Sequence, residues 1–334
     1  MSAYAVEISQ SPLSVPYIQK PDTVKSVDVC LTNYNLGKYL PFALESLAGQ
    51  TTDDFNLFVI DDGSTDPETI EIFAQLKEKY RGKTHWHFVT QTNQGVCAAR
   101  NLGARLGEAE YIIFMDADNI VAPNMVERFL ESIRLSGDDC LTCWLYQFEG
   151  EGSVYVEHGN PERLVPPRFL YTPLGNAPTL NLLSTPFGDT NAIIKRSVFE
   201  AIGGFTMDYP KDVNQEDREL LTVLSLEGYK LDVIPEFLCY YRYRPESRLR
   251  VTNEFENQSR VLRVYARKLA DYGLSDIAHL LVGQRAAQGA FNGQYASQDG
   301  NVLFADQHDY LVNGVPWATL LKAMWGKITK YLKR

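Results

Sequence analysis

From Val27 onward, apolar and polar positions follow two alternating periods. "VDVCLT", "NLFVIDD", "HWHFVT" and "YIIFMD" are short apolar runs rich in β-branched and aromatic residues, and read as buried strands. Between them lie "LGKYLPFALESLAGQ", "DPETIEIFAQLKEKY" and "QGVCAARNLGARLG", whose apolar residues recur at helical spacing. Gly49 closes the first of these helices, and Pro67 stands in the first turn of the second, where a missing N–H costs nothing. Strands alternating with helices predict parallel strands covered by helices on both faces. After about Phe148 the regularity weakens. Residues 149–180 are rich in Pro and Gly and predict a long irregular loop over the site. "CLTCWLYQF" reads as a strand, "DTNAIIKRSVF" as a strand and then a helix, "NQEDRELLTVLSLEGY" as a helix, and "KLDVIPEFLCYYRYR" as one or two short strands. From about 252 the pattern is helical again, most clearly in "EFENQSRVLRVYARKLADYG". The expected division is a leader at 1–25, an α/β domain at 26–250 and a helical extension at 251–334.

In parallel sheets ligands sit beyond the carboxyl ends of the strands. The polar residues of these runs fall at those ends. The first strand ends in "TNYN", the second in "DDGSTD" and the fourth in "DADN". One edge therefore gathers Thr32, Tyr34, Asp61, Asp62, Asp116 and Asp118. On an extended chain Asp116 and Asp118 share a face, about 6–7 Å apart. A hard divalent cation with a substrate phosphate would relieve their repulsion. The alternative is that Asp118 or Asn119 caps a helix opening near "APNMVERFL". In "VIDDGSTDPE" an ordinary turn and a cap at Asp66 account for Gly63, Ser64 and Asp66, but not for two carboxylates at the strand end. In "NQEDREL", Asn214 and Asp217 could form a capping-box variant. Asp217 also crowns the buried stripe of Leu220, Leu221 and Leu224, where a carboxylate can act as a general base, while Glu216 is rotated about 100° away.

Taken together, these motifs resemble one family. From Val27 to about Arg250 the chain is similar to the inverting glycosyltransferases of family 2, with the GT-A fold. The matching segments are "VCLTNYNLGKYLPFALESLAGQT", "VIDDGSTD", "NQGVCAARNLGA", "FMDADN", "FGDTNAIIKRSVFEAIGGF" and "QEDREL". The resemblance implies a mixed, mainly parallel nucleotide-binding sheet flanked by helices. It implies a donor that is a nucleotide-diphosphate sugar, with UDP as the carrier, and an acceptor that is a glycan, a lipid-linked glycan or a protein. Thr32, Tyr34 and Asp62 would line the base, with Asp62 accepting from a uracil-type N–H and Asp61 supporting the turn. Gly95 would let the backbone approach the nucleotide, and Arg100 would help to fix that region. Asp116, with Ala117, would lie near the ribose, and Asp118, with Asp116, would hold Mn²⁺ or Mg²⁺. Gly188 and Asp189 would border the donor sugar and acceptor. Asp217 would be the base, with Glu216 as the second candidate.

One position departs from the family pattern. Family members often carry "YRxHxxS" after the last strand, with the His completing the metal shell. Here "YRYRPES" places Arg244 at that position. Arginine has no lone pair for a metal but can contact a diphosphate directly. The departure keeps a second reading open, a catalytically degenerate member serving as a glycan-binding or scaffold subunit. The bland reading of Arg242 and Arg244 is a set of surface ion pairs.

Composition narrows the partners. The 334 residues carry a formal charge of −10, which disfavours nonspecific binding to nucleic acid and means that an anionic substrate must be met by local cations or a metal. The amino terminus lacks the basic start and apolar core of a signal peptide, and no stretch approaches a membrane span. Five scattered cysteines fit buried, reduced thiols, and the lone Cys140-x-x-Cys143 lies in a strand without a second pair or a nearby His. The expected location is the cytoplasm, with the inner face of the cell membrane as an alternative. That alternative comes from "PWATLLKAMWGKITKYLKR". There Trp317, Leu320, Leu321, Met324, Trp325 and Ile328 repeat at helical spacing among lysines, with no acid. Such a basic amphipathic helix at 316–334 suits peripheral contact with an anionic membrane, or self-association through its apolar stripe. The five histidines have no partner pattern and read as structural or exposed.

Overall fold

The computed structural model describes residues 25–155, 163–181, 185–211, 213–247, 252 and 254–271. The expected leader, most of the 251–334 extension and the helix at 316–334 lie outside the described residues. The described part falls into two compact units. One holds the described residues up to 211 together with Glu216–Ser247, and the other holds Val213–Gln215 with the described residues from 252 on.

The first unit is built on one sheet. In chain order its elements are β1 (Val27–Asn33), α1 (Leu40–Ala48), β2 (Phe55–Asp61), α2 (Pro67–Lys79), β3 (Trp86–Thr90), α3 (Val96–Leu106), β4 (Tyr111–Asp116), β5 (Ile120–Val121) and α4 (Met125–Ser136). They continue with β6 (Cys140–Glu149), β7 (Phe169–Tyr171), α5 (Pro178–Asn181), β8 (Ile193–Lys195), α6 (Arg196–Ala201), α7 (Glu216–Leu226) and β9 (Leu231–Tyr243). The spatial order is β3-β2-β1-β4-β8-β6-β9-β5, with β7 beside β6. The first four of these strands are parallel to one another. Beyond β4 the sheet is mixed, since β8 pairs antiparallel with both β4 and β6 while β6 and β9 are parallel.

Every residue of β1 and β2 is buried. Alternation along β1 and β4 splits their side chains between two cores. Val29, Leu31, Ile113 and Met115 face one core with Leu40, Leu44 and Leu47 of α1 and Phe129 of α4. Cys30, Ile112 and Phe114 face the other with Phe199 of α6, Phe205, and Leu220, Leu221 and Leu224 of α7. Phe114 packs edge-on against Phe205 at 5.0 Å between ring centroids and lies 5.2 Å from Phe199. Truncating so buried an aromatic ring costs about 3–5 kcal/mol.

Two sequence expectations change here. The "KLDVIPEFLCYYRYR" segment forms one strand of 13 residues. Ile234 pairs with Cys143 and Phe237 with Trp144, so Pro235 and Glu236 stand outside the ladder. This irregularity absorbs the missing N–H of Pro235 without ending the strand. The 149–180 segment is not wholly irregular. Its "FLY" adds β7 to the edge of β6, α5 follows, and Tyr155 and Leu164 form an isolated bridge. Residues 156–162 of that segment lie outside the described residues. Burial pushes the Cys140 and Cys143 thiols up, so neither favours the thiolate that redox or metal chemistry uses.

The second unit contains α8 (Glu254–Asp271). Val261, Leu262, Val264 and Tyr265 of this helix are buried. The Asn214 backbone N–H donates to Asn257 Oδ1 at 2.8 Å, and Arg260 Nη1 donates to the Val213 carbonyl at 3.2 Å.

Candidate active site

Strand register assembles the site. In the parallel half Thr32 lies level with Ile60 and with Asp116, and Asn33 lies level with Asp61. The carboxyl ends of β1, β2 and β4 therefore finish side by side, and their polar residues share one edge.

The turn after β2 is locked by its own carboxylates. Asp61 accepts from Asn33 Nδ2 at 2.7 Å, from Ser64 Oγ at 2.6 Å and from the Ser64 N–H at 3.1 Å. Asp62 accepts from Gln91 Nε2 at 2.6 Å and from the N–H groups of Gln94 and Gly95 at 2.9 and 2.8 Å. Both side chains are buried. Gly63 has φ +67°, and a Cβ there would stand 2.7 Å from the Asn93 nitrogen, so only glycine fits the turn. Asp66 caps α2 by accepting from the Thr69 N–H at 2.9 Å. Gly95 has φ +92°, and the space its Cβ would fill is bounded by Lys211 at 3.2 Å, whose Nζ donates to Asn93 Oδ1 at 2.8 Å. Tyr34 is exposed at the rim of this turn.

The turn after β4 is held by arginines instead. The chain bends at Ala117, with the Asn119 N–H donating to the Asp116 carbonyl, so Asp116 and Asp118 do not lie on one extended face. Asp116 Oδ1 accepts from Arg100 Nη2 at 2.7 Å and from Thr32 Oγ1 at 3.3 Å. Asp118 Oδ2 accepts from Arg244 Nε at 2.7 Å. Neither Asp118 nor Asn119 caps α4, because β5 intervenes and Asn124 precedes the helix. Burial pushes the Asp118 carboxyl up, and the Arg244 guanidinium opposes that shift without cancelling it.

The third component is the start of α7. Arg100, with a side chain only 3% exposed, bridges Asp116 and Glu216 Oε1, the latter at 2.9 Å. Burial alone would lower its pKa, and the two carboxylates together raise it instead. Asp217 is half-buried, whereas Glu216 is buried and its Oε1 accepts from Arg100 Nη1. Burial and the neighbouring charges of Asp217 and Asp116 hold the Asp189 carboxyl well above the usual range. Asp217 is also raised, first by burial and then by Glu216, although Arg100 and a hydrogen bond with Asp189 pull it back. The two carboxyls thus form a pair that favours retaining a proton. Gly188, with φ +120°, lies so close to Thr142 that a Cβ would stand 2.6 Å from its side chain. The expected capping box is absent, because α7 begins at Glu216 and the Asn214 side chain donates to Thr252 Oγ1.

Asp61, Asp62 and Gly95 meet in the β2 turn, Asp116 and Asp118 in the β4 turn, and Arg100 and Asp189 adjoin the start of α7, while Gly188 lies against Thr142 of β6. Reasoning from the sequence missed four supports. Asn33 fastens Asp61, and Gln91 fastens Asp62. Arg218 donates to Asn181 Oδ1 at 2.8 Å, tying α7 to α5 behind Asp217. Arg242 is 1% exposed, which corrects the surface reading of this residue. Its Nε donates to the Asp118 carbonyl at 3.0 Å, its N–H to Asn119 Oδ1 at 3.2 Å, and its guanidinium to the Gly150 and Gly152 carbonyls. Two arginines among the aromatic residues of "YYRYR" were the available signal.

A divalent metal was the expected occupant of this edge. Among the described residues no group of three or more His, Cys, Asp or Glu side chains is arranged to hold one. The two carboxylates expected to do so, Asp116 and Asp118, each carry a guanidinium at 2.7 Å. In this geometry the donor set does not fit a resident divalent cation.

The sheet order, the locked turns and the strand-end aspartates define a GT-A-type domain. The model described as "Glycosyl transferase family 2" matches residues 28–203, more than half of the chain, and the chain belongs to that family. The glycosyltransferase GlyG of Streptococcus pneumoniae is 24% identical over 75% of this chain and 82% of its own length. The putative glycosyltransferase EpsH of Bacillus subtilis is 32% identical over 39% of this chain, and the match spans 36% of EpsH. Among solved structures, S. aureus TarS 1-349 in complex with UDP has a TM-score of 0.54 at 19% identity, over 86% of this chain and 78% of that one. The mannosyltransferase PcManGT of Pyrobaculum calidifontis, in complex with GDP-Man and Mn²⁺, has a TM-score of 0.52 at 16% identity, over 93% and 82%. These structural likenesses show the GT-A fold.

Proposed function

We propose that the chain transfers a sugar from a nucleoside-diphosphate sugar to an acceptor hydroxyl in one displacement that inverts the anomeric centre. One observation carries this reading, the convergence of the β4 turn and the start of α7 on Arg100. Arg100 ties Asp116 to Glu216, the residue next to Asp217. In this reading the turn of Thr32, Tyr34, Asp61, Asp62 and Gly95 receives the base. Asp116, Ala117 and Arg100 adjoin the ribose, and Asp118 and Arg244 adjoin the diphosphate. Gly188 and Asp189 border the sugar.

Asp217 takes the acceptor proton as the acceptor oxygen attacks. Its raised pKa makes it a stronger base than an ordinary aspartate once ionised, and its partial exposure lets it ionise. Glu216 acts through Arg100 by holding that guanidinium against Asp116. The UDP in TarS and the GDP-Man in PcManGT support a nucleoside-diphosphate donor, with a UDP-sugar as the first candidate. The Mn²⁺ in PcManGT supports a divalent metal, Mn²⁺ or Mg²⁺, for this fold. In this chain Arg100 and Arg244 occupy the Asp116 and Asp118 carboxylates that such a metal would use. The acceptor is a glycan, a lipid-linked glycan or a protein, in polysaccharide or glycoconjugate synthesis. Among the described residues no helix is long and apolar enough to cross a membrane. We place the chain in the cytoplasm, with residues 316–334 as its contact with the inner membrane face or with a second copy.

The Asp118–Arg244 pair favours a second reading, a degenerate subunit that binds glycans without turnover. A panel of UDP-, GDP- and dTDP-sugars separates the two. The expected result is slow donor hydrolysis whose first sugar product, read by NMR before mutarotation, has the opposite anomeric configuration to the donor. Retained configuration would overturn the single displacement. Absence of hydrolysis with every donor, together with retained glycan binding, would support the scaffold.

A further inference from the structure

The contact between Arg244 and Asp118 is built into the sheet. β5 and β9 run antiparallel, with Ile120 opposite Tyr240 and Val121 opposite Cys239. Just beyond these pairs, Arg242 Nε donates to the Asp118 carbonyl and its N–H to Asn119 Oδ1. Arg244 follows immediately after β9 and places Nε 2.7 Å from Asp118 Oδ2. Its guanidinium lies 5.5 Å from the Tyr39 ring centroid and 3.6 Å from Glu246. Both partners of the pair are largely buried, at 15% and 13% side-chain exposure. A cation is therefore already installed on the one carboxylate of this turn that Arg100 does not hold.

We propose that Arg244 is the cation that meets the donor's diphosphate, and that transfer proceeds without a divalent metal ion. This rests on the reading of the β4 turn as the diphosphate site. A metal entering at Asp118 would have to displace a charge-assisted hydrogen bond and then stand beside the displaced guanidinium in a poorly solvated site. A guanidinium needs no such exchange. It is charged at every working pH, and its planar fork matches the geometry of phosphate oxygens. Asp118 then acts as the positioning residue that aims Arg244, and Arg100 supplies the second fixed positive charge at the other end of the turn. In the transfer step the anomeric carbon–oxygen bond to the diphosphate breaks and its electron pair stays with the leaving diphosphate, facing Arg244. The acceptor oxygen forms the new bond, and its proton passes to Asp217.

Calorimetric binding of UDP, GDP and dTDP to the full chain, in EDTA and in excess Mn²⁺, tests this. For the nucleotide that binds, the expected Kd agrees within about twofold between the two conditions, since the charge on the phosphates comes from the protein. Arg244→Ala should weaken binding about 10–100-fold in both, the scale of one hydrogen-bonded charged group. Arg244→His, which offers a ring nitrogen to a metal, should recover affinity only with Mn²⁺. Thermal melts check that each variant is folded, and Arg244→Lys, which retains charge without the fork, should lose less than Arg244→Ala. Wild-type affinity that rises tenfold or more with Mn²⁺, and rises equally in Arg244→Ala, would overturn the inference and leave the functional reading standing. Failure of all three nucleotides to bind with or without Mn²⁺ would overturn both.

Discussion

Two aspartate pairs close neighbouring strands of this sheet, and they do different work. The oxygens of Asp61 and Asp62 accept from backbone N–H groups, an asparagine, a serine and a glutamine that belong to the surrounding turns. Those of Asp116 and Asp118 accept from the guanidiniums of Arg100 and Arg244, which come from α3 and from the end of β9. The first arrangement joins neutral groups from neighbouring strand ends, 28 to 33 residues away for Asn33, Gln91, Gln94 and Gly95. The second sets charged guanidiniums against carboxylates, 16 residues away for Arg100 and 126 for Arg244. Neutral bonds shape the first turn, whereas ion pairs hold the second.

Perturbing each pair sharpens the contrast. The largest effect on stability is expected for Arg100→Ala, which strands Asp116 and the buried Glu216 together. Breaking such a buried pair costs about 3–5 kcal/mol, read as a fall in the urea midpoint with an unchanged slope. Asp61→Ala should cost less, about 1–3 kcal/mol, because it orphans the buried Asn33 amide without uncovering a charge. A larger loss for Asp61 than for Arg100 would reverse the comparison. Asp66→Ala removes only the α2 cap and should cost about 0.5–2 kcal/mol, with turnover unchanged in a donor-hydrolysis assay.

The smallest expected effect is a displacement along the pH axis. In the proposed reaction turnover requires ionised Asp217, so it should rise with pH through the raised pKa of the Asp189–Asp217 pair and then level off. Asp189 lowers the Asp217 pKa through its hydrogen bond, so Asp189→Ala should move the acidic limb to higher pH. Asp189→Asn, which can still donate, should move it less. An unmoved limb in Asp189→Ala would show that the pair is not coupled in turnover. The same pair contributes to stability with the opposite slope. In the fold it keeps its proton above the ordinary value of 3.8, where the unfolded chain has released it. Its contribution is fully present below that value and is lost as pH rises through the raised pKa. Urea midpoints against pH should show this decline in the wild type and a flatter curve in Asp217→Asn.

Much of this was legible in the chain. Apolar alternation located β1 to β4 and the helices between them, because a parallel strand buried on both faces leaves a continuous apolar run. Asp66 before Pro67 marked the α2 cap. The strand-end positions of Asp61, Asp62, Asp116 and Asp118 followed from the same pattern. What was hidden depended on contacts between residues far apart in sequence. Nothing local reveals that Arg100 joins Asp116 to Glu216 across 116 residues. The β9 segment read as one or two short strands, and only the shifted pairing with β6 shows how it continues through Pro235 as one. Arg242 looked like a surface residue because burial of an arginine requires acceptors, and these come from the turn at Asp118 and the Gly150–Gly152 loop.

The central claim is that Asp217 removes the acceptor proton while the arginine-held turn binds the donor. It is tested most directly by comparing Asp217→Asn with the wild type, using whichever sugar nucleotide the panel identifies. Donor Kd should stay within about twofold and kcat should fall about 10²–10⁴-fold, the usual scale for loss of a general base. An Asp217→Asn enzyme that binds its donor and turns it over at the wild-type rate would contradict it.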